Sequence, residues 1–115
     1  MRKRKSLHGM KIEKSSGNVY ADIGVRDPEA MLMKAQLVIK IDEQIKRKGL
    51  TQTEAGQLLG LPQPKVSALL RGNFRGISER RLMDCLTRLG SDVQVVVKPA
   101  PRTRHQGKLS VVFAS

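Results

Sequence analysis

LTQTEAGQLLGLPQPKVSALLRG, residues 50–72, packs a helix start, a helix stop, a short turn and a second helix start into one run. Thr51 is placed as an N-cap, and Glu54 three residues later completes a capping box, with Leu50 and Ala55 at the positions of a hydrophobic staple. Gly60 ends that helix. Leu61 and Pro62 make the turn, and a second helix is expected over residues 63–70, closed by Gly72. Two short helices joined so tightly must cross at a steep angle, which is a helix-turn-helix, residues 51–71.

The flanking chain reads as support for that unit. Upstream, Asp27 and Pro28 are a helix-starting pair, and a long helix is expected over residues 28–48. Met31, Leu32, Ala35, Val38, Ile39, Ile41 and Ile45 form an apolar stripe, with Asp42 at its margin. The two methionines at 31 and 33 are packing residues. Lys46, Arg47 and Lys48 suit the negative end of the helix dipole and are equally placed for phosphate contact; Gly49 is the stop.

Downstream, residues 73–76 read as a loop. Ile77 and Ser78 announce another helix, with Ser78 as N-cap and Ile77 and Leu82 as staple. Leu82, Cys85, Leu86 and Leu89 are its inner face, and Gly90 its end. Cys85 lies within that stripe and reads as a small buried apolar residue, with no base beside it to make it a nucleophile. The period then changes. DVQVVVK, residues 92–98, is short and β-branched, and residues 108–113 repeat that character after Pro99 and Pro101. Together they predict an antiparallel hairpin that packs on the helices or pairs with the same strands of a second subunit, since two strands alone are marginal.

Length and charge bound the function. A chain of 115 residues buries one small core. Its formal net charge of +12 favours a polyanionic partner. Basic residues crowd the ends: Arg2, Lys3, Arg4, Lys5, Lys11 and Lys14 against Glu13, and Lys98, Arg102, Arg104 and Lys108 with no acid. Residues 1–15 read as a disordered basic arm, residues 16–91 as the DNA-binding domain, and residues 92–115 as the hairpin with a basic tail. Val19, Ala21, Ile23 and Val25 alternate weakly beside glycines and suggest irregular or extended chain.

A single cysteine permits no internal disulfide, and no apolar run of signal-peptide or membrane-spanning length is present, so a reducing cytoplasm is the expected setting. His8 has no second His or Cys at ligand spacing and reads as a loop histidine. No metal-ligand cluster, nucleophile with a base, or phosphate-cradling glycine loop is found. The expectation is therefore no enzyme, with no catalytic residue, metal or cofactor.

In a helix-turn-helix the second helix enters the major groove while the first straddles the backbone. Gln52, just inside the first cap, is placed to donate to a phosphate beside free helix amides. Gln63, opening the second helix, is placed to read adenine through N6 and N7, and Lys65 to reach guanine or phosphate. Val66, Leu69 and Leu70 point back to the core. Arg71, Asn73 and Arg75 follow the helix as phosphate or outer-groove contacts; Asn73 and Arg75 are read equally well as solvated loop residues. Pro64 is tolerated in the first turn, where its missing amide costs no helical bond.

The run Leu50, Thr51, Gln52, Glu54, Ala55, Leu58, Leu59, Gly60, Gln63, Val66 and Ser67 resembles the helix-turn-helix of the phage-repressor-like XRE regulators. The resemblance implies a mainly α, five-helix, lambda-repressor-like DNA-binding domain, here with a short C-terminal β-hairpin. It places Ser67 against the first helix or a phosphate. Pro64 replaces a polar residue that many relatives place in the groove, and Pro62 stands where a Ser or Thr cap is common.

Residues 16–99 also resemble a subgroup that includes HigA-like antitoxins, with SGN before the first helix and LG-x-D-V after the last. That resemblance implies a homodimeric, autoregulatory repressor of double-stranded inverted-repeat DNA in a prokaryotic cytoplasm. In antitoxin members it also implies a RelE/HigB-like ribonuclease toxin as partner, within a HigBA-type module. A stand-alone XRE regulator without a toxin is the alternative. A basic RNA-binding protein is a third reading, weakened by only two phenylalanines and one tyrosine for stacking.

Overall fold

A computed structural model describes residues 27–114 of the chain. The basic arm, His8 and the expected irregular stretch before Asp27 lie outside the described residues. Four helices are present among them: α1 (Pro28–Arg47), α2 (Gln52–Leu59), α3 (Gln63–Leu70) and α4 (Glu79–Arg88). The fold is mainly α, as expected, while a fifth helix is not found among the described residues.

α1 opens with Pro28 in its first turn, where a missing amide is harmless. Asp27 occupies the N-cap position, yet its backbone is left-handed (φ 50°) and its side chain accepts no helix amide. The cap there is made by position and backbone alone. At the other end, Leu50 N donates to Ile45 O (3.1 Å) and Gly49 N to Lys46 O (3.0 Å), a Schellman closure around a glycine at φ 67°. The same long closing bond recurs as Asn73 N to Ala68 O after α3 and Ser91 N to Leu86 O after α4.

α1 packs mainly on α4 and also on α3, while α2 packs on α3 and α4. The core is built from Ala35, Leu37, Val38, Ile41 and Ile45 of α1, Ala55 and Leu59 of α2, and Val66 and Leu69 of α3. Leu82, Cys85 and Leu86 of α4, with Leu89 and Phe74, complete it. Met31, Leu32, Ile39 and Leu70, expected in the core, are only partly buried at its edge. Leu37 and Phe74 are buried additions. Because α1 meets two helices, its buried arc is wider than the stripe of its sequence, and Leu37 falls inside it. Asp42 is also buried, and Lys46 one turn on donates to its carboxylate at 3.3 Å.

The expected hairpin is not formed. Residues 92–98 and 108–113 carry no strand, and no backbone bond joins them. The chain does reverse, through a turn at residues 102–103 where Arg104 N donates to Pro101 O (3.1 Å), but Pro99 and Pro101 remove donors next to that turn. An isolated pair of strands is marginal in any case. Tertiary contacts hold the segment instead. Val93 and Val111 pack on the core, Leu109 N donates to Glu29 Oε2 (2.8 Å), and Lys40 Nζ lies 5.3 Å from the centre of the Phe113 ring. Lys40 also bonds Glu43 at 2.9 Å, holding that carboxyl below its ordinary range. No helix among the described residues is long and apolar enough to cross a membrane.

Candidate nucleic-acid interface

The interface is assembled at the junction of α2 and α3. Thr51 caps α2 as the sequence requires: Glu54 N donates to Thr51 Oγ1 (3.1 Å) and Thr51 N to Glu54 Oε1 (2.8 Å), a reciprocal capping box. The amides of Gln52 and Thr53 have no acceptor among the described residues, so the tip of α2 offers free donors at the positive end of its dipole.

The turn is set by a close approach. Leu61 N donates to Gly56 O at 2.9 Å, and a Cβ at residue 56 would stand 2.5 Å from the Leu61 carbonyl oxygen. Only glycine fits there. Gly60, at φ 73°, then swings the chain toward Pro62, the N-cap residue of α3, and Pro64 occupies the first turn. Pro62 supplies no side-chain cap, yet the helix still starts at Gln63.

Gln63 and Gln52 are brought together. Gln63 Nε2 donates to Gln52 Oε1 at 2.7 Å, and both residues are exposed. Gln63 retains its second amide hydrogen and its Oε1, the donor and acceptor pair that matches N7 and N6 of adenine. Gln52 retains both hydrogens of its own Nε2 for a phosphate.

Ser67 and Arg71 form a second pair, with Arg71 Nη1 donating to Ser67 Oγ at 2.9 Å. Gln63, Ser67 and Arg71 thus follow one another every four residues along α3, opposite the buried Val66 and Leu69. Lys65 and Asn73 share a depression of about 50 Å³ with Leu69, Gly76 and Ile77. That volume is far below the roughly 300 Å³ of a small-molecule site. Arg75 is exposed and bonds to neither pair, and its carbonyl is tied to α1 by Lys34 Nζ at 3.0 Å.

Two further residues matter that the sequence reading did not single out. Arg81 Nη2 donates to Gly60 O (3.1 Å) and Leu59 O (3.4 Å), while Arg88 Nη1 reaches Leu58 O (3.5 Å) and its Nε bonds Asp84 (2.9 Å). α4 therefore places two cations on the open carbonyls at the end of α2, where the dipole is negative. They fix the helix whose end sets the angle of α3. Their spacing of seven on one face of α4 is visible in the sequence, but their target is 21 to 30 residues away. Gly56, inside a helical run, was a legible signal.

Cys85 is buried among the core side chains, and that burial raises its thiol pKa. Among the described residues no group of three His, Cys, Asp or Glu is arranged to hold a metal.

A capped short helix, a glycine-enforced turn and an exposed second helix define a helix-turn-helix domain. The family described as "Helix-turn-helix domain" matches residues 19–98, and the chain belongs to it. A solved structure described as an XRE-family transcriptional regulator is 39% identical, superposes with a TM-score of 0.72, and aligns over 77% of this chain and 100% of its own. The XRE grouping expected from residues 50–67 is thereby supported. Among curated proteins, none matches the chain.

Proposed function

We propose that this chain is a sequence-specific DNA-binding repressor that acts as a homodimer on an inverted-repeat operator and regulates its own operon. The observation that carries the reading is the Gln63 to Gln52 bond at the exposed junction of α2 and α3, in a chain of net charge +12. α3 enters the major groove with Gln63 and Lys65 toward base edges. The tip of α2, Gln52, Arg71, Asn73 and Arg75 take phosphates, and Ser67 steadies Arg71. The basic ends add affinity without sequence preference. Its work is binding, with no catalytic step, in a prokaryotic cytoplasm.

Selection of bound fragments from a random duplex pool tests this. Inverted repeats with half-sites about 34 Å apart, or a multiple of it, are expected. Recovery of no motif, or of a lone asymmetric site holding one protomer, defeats the reading.

Within that role we assign the chain as the antitoxin of a HigBA-type module, with a RelE/HigB-like toxin as partner. The support is the resemblance of residues 16–99 to HigA-like proteins. Co-purification with the product of a neighbouring gene for a small ribonuclease-like protein tests it; operator binding with no such product makes the chain a stand-alone regulator. The RNA-binding reading has less support, because Phe74 is buried in the core and leaves Phe113, partly exposed beside Lys40, as the one phenylalanine open to stacking.

A further inference from the structure

Residues 92–98 are an anomaly in the fold. The chain runs from Ser91 to Pro101 without helix, turn or bend, and the main chain of residues 92–98 makes no hydrogen bond among the described residues. Val95, Val96 and Val97 are 81%, 75% and 90% exposed. Three consecutive β-branched residues in water, beside a row of unpaired amides and carbonyls, make an open template for another strand. The chain's own second arm does not fill it.

The sequence of the segment specifies what does. DVQVVVK carries one acid at its first position and one base at its last, so it is neutral in a chain of net charge +12. When the segment is paired antiparallel with a copy of itself about a two-fold axis through Val95, Asp92 stands opposite Lys98 at both ends. Val93 then meets Val97 twice, and Val95 meets its own copy. Slipping the register by one residue sets Lys98 against Val93, and slipping it by two sets Lys98 against Gln94. A parallel pairing aligns like charges at both ends, which is unfavourable in directly opposed pairs. Pro99, without an amide, ends the strand just beyond Lys98.

We propose that residues 92–98 pair with the same residues of a second copy in this register, forming a two-stranded antiparallel joint across the dimer axis. The inference rests on the homodimer proposed above and adds to it the surface and the register. Val93 seats the strand on the core of its own subunit, so the joint fixes the separation of the two α3 helices.

Val95→Cys supplies the test, since directly opposed residues of an antiparallel pair have Cα atoms about 4.5 to 5.5 Å apart, within disulfide range. Under mild oxidation the Val95→Cys chain should become a covalent dimer. Val97→Cys should not, because its copy lies four residues, about 13 Å, along the strand. The unaltered chain controls for Cys85. In sedimentation, Asp92→Lys and Lys98→Asp should each weaken the dimer by about ten-fold, and the double exchange should restore it to within about two-fold.

Preferential cross-linking through Val97→Cys, or no rescue by the double exchange in a chain that still dimerises, overturns the joint and leaves the homodimer standing. A monomer at tens of micromolar overturns both. All four positions are solvent-exposed or partly so, and circular dichroism checks that each variant keeps its helices.

Discussion

Gln63 donates from Nε2 to Gln52 Oε1 at 2.7 Å, so the first residues of α2 and α3 act as one reading unit. Gln63→Ala should relax preference at one base position per half-site by roughly 1 to 3 kcal/mol. Gln52→Ala should cost part of the same discrimination, because it frees the Gln63 amide to rotate, and the double variant should cost less than the two singles added. Titration against operator variants measures this. Equal weakening on cognate and scrambled DNA would make Gln63 a backbone contact.

Gly56→Ala should destabilise the fold by about 1 to 3 kcal/mol, since its Cβ would overlap the Leu61 carbonyl and push the turn open. The urea midpoint reads the loss. A midpoint unchanged from the parent chain would mean that the turn between α2 and α3 yields freely.

Arg81→Ala and Arg88→Ala should each lower stability by about 1 kcal/mol, as expected for cationic hydrogen bonds in partly exposed settings. Their effect on DNA should be uniform across sequences, because they hold the end of α2 and touch no base. A changed base preference would place one of them at the groove.

Arg71→Ala and Arg75→Ala distinguish phosphate contact from solvated charge. Removing a side chain that neutralises one phosphate should reduce the log-log salt slope of binding by about 0.9. Arg71, tied back to Ser67, should show this; an Arg75 variant with an unchanged slope would assign Arg75 to solvent.

Burial raises the Cys85 thiol pKa, with Arg81 and Arg88 opposing the shift and Asp84 adding to it. Between the ordinary thiol value of about 8.5 and the higher folded value, the folded state holds a proton that the unfolded chain has lost. Stability should therefore be unaffected by this group below that window and fall as pH rises through it. Urea midpoints from pH 7 to 10 should decline more steeply for the parent chain than for Cys85→Ala. Thiol reagents should modify Cys85 only as fast as the protein opens.

The sequence by itself determined the parts of this protein that depend on neighbours a few residues away. Capping at Thr51 and Ser78, the stops at Gly49, Gly60, Gly72 and Gly90, and the inward faces of α3 and α4 were readable because each is a local bond or a period of 3.6. The tertiary structure decided what depends on distant contacts. It buried Leu37 and Phe74, aimed Arg81 and Arg88 at the end of α2, and joined Gln63 to Gln52. It also withheld a ladder from residues 92–98 and 108–113. β-branched composition records a preference for pairing, but only the position of another chain supplies the partner that satisfies it.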